Sequence, residues 1–351
     1  MREIKPNQKT ILRKIFVKLC RLFGYEIIDQ SNLSIPTSNR NINESITTPG
    51  KKSIVLPLGE VNITRPVKSL DIILRTCMSV NMLTQSKKRL FEKNKDEYTK
   101  RTLSSIIKSV SHAKNKFKNV KFKISIIDHN SQNAQIEKIK IMLLNSSINF
   151  EIFKLQFDKF SKQIKNINEE NKEVTVNQKS NMSNIHQSLF LAKEKGDDLI
   201  YFVEDDYIHE KNSITEILYT YERIASLIKQ DFIVCPTDYP YLYAKADSTR
   251  IFIGENRHWR QVDQSLCTFL TSKKIVEKHW NEFISMCKFE HYPFEKPLHN
   301  IYKSELCISP IPSLAVHFTN INSIYGLSPN VNWKRLWDEN EIEIKQKSSK
   351  F

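Results

Sequence analysis

The chain has 351 residues, of which 40% are apolar, and its formal net charge is +15 at pH 7. This composition supports a folded core and favours anionic partners. With only six glycines, and no Gly-x-Gly-x-x-Gly or Gly-x-x-x-x-Gly-Lys, glycine-rich phosphate loops are excluded. The six cysteines form no Cys-x-x-Cys pair, which argues against a zinc site and predicts free thiols in a reducing compartment.

The first predicted element is a basic amphipathic helix within residues 1–28. Its apolar face consists of Ile11, Leu12, Ile15, Phe16, Leu19, Leu22 and Phe23, and its basic residues are Arg13, Lys14, Lys18 and Arg21. No uncharged run approaches the ~20 residues of a spanning helix. The pattern predicts a helix in the interface of an anionic membrane, with docking on the rest of the chain as the alternative. Residues 29–65 are predicted to be a linker.

Two apolar strands are predicted next, at residues 70–74 and 121–127. The helix-prone stretch 100–112 lies between them, so the unit is a βαβ crossover with parallel strands. The second strand ends at Asp128. An aspartate there either contacts a ligand at the strand end or closes a local Asx-turn.

The strongest signal is an apolar run, residues 199–203, that stops at Glu204, Asp205 and Asp206. A run that is apolar on both faces is typical of a central strand in a parallel sheet, and ligand sites lie beyond the carboxyl ends of such strands. Three adjacent carboxylates repel one another, and a hard divalent cation relieves that repulsion. The alternative is a solvated acidic turn. Helical periodicity flanks the strand on both sides, at residues 181–195 and 213–228.

The C-terminal part adds shorter signals. A strand is predicted at 231–236, and residues 311–318 form a strand-like run that includes His317. Residues 156–180 are predicted to be a long loop. Overall we expect one α/β domain at 66–335, followed by a charged tail at 336–351.

The segment Leu191-Ala-Lys-Glu-Lys-Gly-Asp-Asp-Leu-Ile-Tyr-Phe-Val-Glu-Asp-Asp206 resembles the GT-A class of nucleotide-sugar glycosyltransferases, and their family 2 in particular. The Glu-Asp-Asp form is similar to the Val-Glu-Asp-Asp of the N-acetylglucosaminyltransferase I family. The resemblance covers about residues 68–335 and is dense around 181–210. It implies a Rossmann-like GT-A fold: a mixed, mostly parallel sheet flanked by helices, behind the N-terminal amphipathic helix.

The same resemblance implies a metal site. Asp206 is the expected chief ligand of a Mn²⁺ or Mg²⁺ ion, and Asp205 is expected to be a second ligand or to act through water on the donor. Glu204 is expected to touch the ribose, and His317 to complete the metal or diphosphate site.

The resemblance also implies residues for the nucleotide and for catalysis. Arg75, Thr76 and Asp128 are expected to line the nucleotide pocket. Asp263 is expected to be the general base, although the Pro and Gly of the family pattern are absent around it. The alternatives for the base are Asp238 and Glu255.

The expected function is metal-dependent transfer of a hexosyl or N-acetylhexosaminyl group, with inversion, from a nucleotide-diphosphate donor to a glycan or glycolipid of the cell envelope. The expected location is cytoplasmic, on the inner face of the membrane where the helix binds it. One alternative is an inactive GT-A-like protein that binds carbohydrate or nucleotide. A nucleic-acid-binding protein is the other, and no helix-turn-helix, RNP or zinc-finger signature supports it.

Overall fold

The computed structural model describes residues 11–25, 62–79, 90–244, 248–319 and 323–342. Most of the predicted linker (29–61) and the end of the predicted tail (343–351) lie outside the described residues. The chain divides into two compact units, residues 1–62 and 63–351.

Helices and strands alternate through most of the described chain. The helices are α1 (Ile11–Leu22), α2 (Lys95–Lys116), α3 (Asn133–Leu144), α4 (Phe157–Ser161), α5 (Val176–Lys195), α6 (Ser213–Ile228), α7 (Lys273–Lys278), α8 (Trp280–Lys288), α9 (Lys296–Ile301) and α10 (Trp333–Glu339). The strands are β1 (Ser69–Thr76), β2 (Lys121–Asp128), β3 (Asn149–Lys154), β4 (Leu199–Glu204), β5 (Tyr207–His209), β6 (Ile233–Val234), β7 (Ile251–Ile253), β8 (His258–Gln261), β9 (Phe269–Ser272), β10 (Cys307–Ile311) and β11 (Ala315–His317).

The N-terminal unit contains α1, which confirms the predicted helix. Several of its apolar side chains face solvent: Leu12 is 79% exposed and Leu19 is 51% exposed. The helix is followed by Gly24 at φ +80°, a left-handed conformation that glycine adopts without steric cost. None of the described helices is long and apolar enough to cross a membrane.

The larger unit is built on a nine-stranded sheet of described residues in the order β3-β2-β1-β4-β9-β6-β10-β8-β7. The four strands at one side, β3, β2, β1 and β4, are all parallel, whereas β9 runs antiparallel to β4. The strand ends are aligned, because Thr76 pairs with Asp128 and Arg75 pairs with Glu204. The polar residues that follow these strands therefore lie at one edge of the sheet.

The central strands are apolar on both faces because helices cover both. Ile72 and Ile73 of β1, and Ile200 and Tyr201 of β4, are adjacent residues that point to opposite faces of the sheet, and each is at most 2% exposed. The predicted mixed, mostly parallel α/β sheet flanked by helices is confirmed.

A two-stranded ribbon, β5 with β11, lies beyond the acidic strand end. His317 pairs with Tyr207, and the Phe318 amide donates to the Asp206 carbonyl at 2.8 Å. The predicted continuous strand at 311–318 is divided into β10 and β11, because Pro312 has no amide hydrogen for a strand ladder. This division turns the chain and brings His317 next to the acidic residues.

Helix α10 closes the unit at its C-terminal side. The Trp337 ring stacks on Phe91 with centroids 4.2 Å apart, and the Arg101 guanidinium lies over the same indole at 4.5 Å. Trp337 is 3% exposed. The packed part of the chain therefore continues past residue 335, where the sequence placed the domain boundary.

Candidate active site

A cavity of about 420 Å³ lies at the carboxyl ends of β1 and β4. We call its lining residues between Arg75 and Asp206 the N-terminal lining, and those between Leu266 and Tyr325 the C-terminal lining. Of the acidic and metal-binding residues that the sequence singled out, the cavity brings together Glu204, Asp205, Asp206 and His317. Arg75 and Thr76 also line it, as expected for the donor pocket.

Glu204 is held by Arg75. The Arg75 guanidinium lies 3.0 Å from a Glu204 oxygen and donates to the side-chain oxygen of Asn181 in α5 at 2.9 Å. Arg75 is only 6% exposed. One buried cation thus connects β1, β4 and α5 at the edge of the cavity and neutralises the first acid of the triad.

Asp205 is held by three donors. The Lys95 ammonium lies 2.5 Å from one carboxylate oxygen, and the other oxygen accepts from the Thr99 hydroxyl at 3.1 Å and the Cys77 amide at 3.3 Å. Asp205 is 6% exposed. In this arrangement Asp205 anchors α2 to the end of β1, while its role as a second metal ligand or through water stays a prediction.

Asp206 faces His317, with 3.6 Å between a carboxylate oxygen and Nε2. The His317 Nδ1–H donates to the Tyr325 carbonyl at 2.7 Å, and its ring stacks on Tyr207 with centroids 4.6 Å apart. Burial opposes protonation of this imidazole, but the Asp206 carboxylate outweighs it and raises the pKa of His317. In the neutral ring the Nε2 lone pair points to the Asp206 side and is available to a metal ion.

Asp206 and His317 fit a two-ligand metal site. Within the described residues, no group of three or more His, Cys, Asp or Glu side chains forms a metal site by itself. Mg²⁺-like ions are commonly held by one or two protein ligands and complete their shell with water and substrate phosphates. Neighbouring ligands of such an ion lie roughly 3 Å apart, since each is about 2.1 Å from the metal. The donor set is therefore compatible with Mg²⁺ or Mn²⁺ bound together with a diphosphate.

Asp128 closes a local turn. Its carboxylate accepts from the Thr76 hydroxyl at 2.7 Å, the Ser131 hydroxyl at 2.5 Å and the Ser131 amide at 3.1 Å. It is 7% exposed and does not line the cavity; its neighbours His129 and Asn130 do. The turn alternative from the sequence is thus present, while a nucleotide contact by Asp128 stays a prediction.

Sequence reasoning missed the polar face of α5. Asn177, Ser180, Asn181 and Asn184 all line the cavity and recur at helical spacing. The sequence predicted a helix only from residue 181, whereas α5 begins at Val176 behind a Thr175 capping box. The signal was present, because amide and hydroxyl side chains at i, i+3, i+4 and i+7 share one helix face.

The three residues considered as general base do not line the cavity. Asp263 is exposed. Asp238 is fully buried, accepts a hydrogen bond from the Tyr243 hydroxyl at 2.5 Å and forms an ion pair with Arg260. Glu255 is exposed next to the β7–β8 turn. Asp263 interacts electrostatically with Tyr325, which lines the cavity, and a role as base for any of the three stays a prediction.

The C-terminal lining contains two other acids, Glu290 and Glu295. Glu290 accepts hydrogen bonds from Gln178 at 2.5 Å and from Asn168 at 3.0 Å. Glu295 forms no ion pair with a described basic residue. Burial, together with the nearby Glu204 carboxylate, raises the pKa of Glu295 to about 7. No sequence motif marks this residue, which precedes the short helix α9.

No family model matches the chain, and neither does any curated protein. Several solved structures are similar to it. S. aureus TarS is 11% identical with a TM-score of 0.33, and the match covers 60% of this chain and 29% of that protein. The galactosyltransferase LgtC, in complex with donor and acceptor sugar analogues, is 10% identical with a TM-score of 0.35 over 77% of this chain and 95% of LgtC.

The glycosyltransferase GlyE of Streptococcus pneumoniae is 11% identical with a TM-score of 0.39, over 80% of this chain and 62% of GlyE. The match to TarS spans less than a third of the length of that protein. Similarity at this level does not assign a reaction to the chain.

Proposed function

We propose that this chain is a metal-dependent glycosyltransferase that moves a hexosyl or N-acetylhexosaminyl group from a nucleotide-diphosphate donor to a glycan or glycolipid. The observation that carries the proposal is the convergence of Arg75, Glu204, Asp206 and His317 around one cavity at the carboxyl ends of parallel strands. Nucleotide ligands occupy this position in open α/β sheets.

The charge of the cavity supports metal dependence. Among its described lining residues, five carboxylates face only two permanent cations, Arg75 and Lys95. Both cations are already paired with carboxylates, Glu204 and Asp205. An anionic diphosphate would therefore be repelled, and a divalent ion held by Asp206 and His317 would reverse that repulsion. When bound, Mn²⁺ or Mg²⁺ would stabilise the negative charge that develops on the leaving diphosphate.

The chain's own residues then have distinct roles in binding the donor. Asp206 and His317 would hold the ion, and Arg75 would fix Glu204 near the ribose. The amide side chains of Asn177 and Asn181 face the cavity and offer donors and acceptors to hydroxyl groups of the donor. The C-terminal lining, with Leu266, Phe294 and Tyr325, supplies the mixed apolar and polar surface that an acceptor sugar contacts.

A thermal-shift screen tests this proposal. UDP and a panel of nucleotide sugars are each tested with and without Mn²⁺. The melting temperature should rise only when a nucleotide and Mn²⁺ are present together. A ligand that binds only the native state adds about 2.7 kcal/mol of stability at 100 times its Kd. Asp206→Asn should abolish the Mn²⁺-dependent shift and leave the fold intact.

Two results would count against the proposal: an absence of Mn²⁺-dependent binding for every nucleotide tested, or an unchanged shift in Asp206→Asn. Release of UDP from a bound nucleotide sugar separates an enzyme from an inactive binding protein. Binding without any release or transfer would favour the binding protein.

The exposed face of α1 supports a second part of the proposal, association with the inner face of an anionic membrane. The apolar side chains Ile15, Phe16 and Leu19 are all exposed, and basic residues occur between them in the sequence. Apolar burial and attraction to anionic lipid act together in such a helix. A membrane-bound enzyme would meet glycolipid acceptors at the bilayer surface.

Co-sedimentation tests this association. The full chain should bind vesicles of phosphatidylglycerol and phosphatidylcholine, and a chain that starts near residue 60 should bind them much less. Binding should fall as salt rises, because exposed charges are screened. Equal binding by both chains would contradict the role of α1.

A further inference from the structure

We infer that Glu295 is the general base that removes the proton from the acceptor hydroxyl. This inference rests on the proposed glycosyl transfer. It replaces Asp263, the residue indicated by the sequence, with a residue that lines the cavity.

The position of Glu295 is set by well-packed neighbours. It directly precedes α9, in which Pro297, Leu298 and Ile301 are buried. Phe294 beside it lines the cavity and packs against the core. The side chain is half-buried and belongs to the same cavity as Asp206. A donor bound at Asp206 and an acceptor on the C-terminal lining would thus share one cavity with this carboxylate.

The other acids of the cavity already have partners. Glu204 is paired with Arg75, Asp205 with Lys95, and Glu290 accepts hydrogen bonds from two amide side chains. Asp206 faces His317 and is assigned to the metal. Among the described lining residues, Glu295 is left as the carboxylate without a basic partner or a side-chain donor.

The surroundings of Glu295 suit proton transfer near neutral pH. Burial raises the pKa of Glu295 most, and the nearby Glu204 carboxylate raises it further. Arg75 and His317 lower it. The net result is a pKa of about 7. A base is most effective when its pKa lies near the working pH. The charged and titratable groups that interact with Glu295 are Glu204, Arg75, His317, Tyr325 and Cys267.

The proposed step is a single displacement. The acceptor oxygen forms a bond to the anomeric carbon, and the bond from that carbon to the diphosphate oxygen breaks. The electron pair of the broken bond leaves with the nucleoside diphosphate, and the hydroxyl proton passes to a Glu295 oxygen. The step inverts the anomeric configuration and requires no further reactant.

The test uses Glu295→Gln in the full chain, with UDP-glucose, UDP-galactose and UDP-N-acetylglucosamine as donors in the presence of Mn²⁺. UDP release is measured with water alone and with simple sugars as acceptors. Turnover should fall by about 10²–10⁴-fold, the usual contribution of a general base. The donor-induced thermal shift should stay the same, which separates this variant from Asp206→Asn.

Asp263→Asn is the matched control, because Asp263 is exposed and does not line the cavity. It should retain near-normal turnover. Turnover of the native protein should rise with pH as the Glu295 carboxyl ionises, and this rise should be absent from the residual turnover of Glu295→Gln. Near-normal turnover in Glu295→Gln, or a large loss in Asp263→Asn, would overturn the assignment of Glu295 as the base but not the proposed transferase activity.

A second readout does not depend on activity. A glutamate with a raised pKa in the folded state binds more protons there than in the unfolded state, so its contribution to stability decreases as pH rises toward that pKa. Glu295→Gln should therefore have a higher melting temperature than the native protein at pH 8, and this difference should shrink toward pH 4.5. A lower melting temperature at pH 8 would overturn the assigned environment.

The two proposals fail in different ways. If no nucleotide sugar is turned over by the native protein, both the transferase and the base assignment are overturned, even if the stability difference at pH 8 is found. If the native protein is active and only the Glu295 results deviate, the transferase stands and the base assignment fails.

Discussion

The acids in the two halves of the cavity lining differ in how their charge is compensated. Glu204 and Asp205 of the N-terminal lining are paired with Arg75 and Lys95 at 3.0 and 2.5 Å. Glu295 of the C-terminal lining has no such partner in the part of the chain that the structure describes, and its pKa is raised to about 7. The same functional group thus lies beside a basic side chain in one half, whereas in the other half its pKa is raised by burial.

This difference predicts different effects on stability when the two kinds of carboxylate are removed. A carboxylate surrounded by donors fixes the ends of strands and helices, and its removal should cost stability. A half-buried carboxylate with a raised pKa is destabilising while it is ionised, so its removal should increase stability at high pH. Proteins tolerate such groups where function needs them. The comparison predicts opposite stability effects for acids that line one cavity.

The largest stability loss is expected for Asp205→Asn. This change removes the charge that pairs with Lys95 and weakens the hydrogen bonds from Thr99 and Cys77. Breaking a buried, charge-assisted interaction of this kind should cost about 2–3 kcal/mol. Urea unfolding followed by circular dichroism would measure it.

A double-mutant cycle with Lys95→Met sharpens this test. If the pair acts as a unit, the double variant should be more stable than the sum of the single losses predicts. Additive losses would show that Asp205 and Lys95 act independently, and the contrast with Glu295 would then lose its physical basis.

A smaller loss is expected for Asp128→Asn. The variant keeps the shape of the side chain but loses the charge that accepts from Thr76 and Ser131, so about 1 kcal/mol of stability should be lost. Both carboxylate oxygens are engaged within the turn. The Mn²⁺-dependent affinity for UDP should therefore change by less than about twofold, as expected for a residue that does not contact the ligand. Isothermal titration would measure it, and a tenfold weaker affinity would restore the nucleotide role suggested by the sequence.

Many of the helices and strands could be predicted, because each is indicated by a pattern of residues close together in the sequence. The apolar run at 199–203 became β4, and the stripe at 213–228 became α6 with the same bounds. Helix α5 was predicted too short at its start, since residues 177–180 are polar and Val176 alone makes no apolar stripe. Local periodicity detects the buried face of an element and gives less information about a face that lines a cavity.

The sequence by itself determined the order of the central strands and helices and the acidic end of β4, because neighbouring residues alone produce an apolar run and its interruption. Only the tertiary structure decided which groups surround each acid. It placed Lys95 on Asp205, His317 opposite Asp206, and Glu295 rather than Asp263 on the cavity. Charge pairing and burial depend on distances between residues far apart in the chain, and those distances are set when the elements pack together.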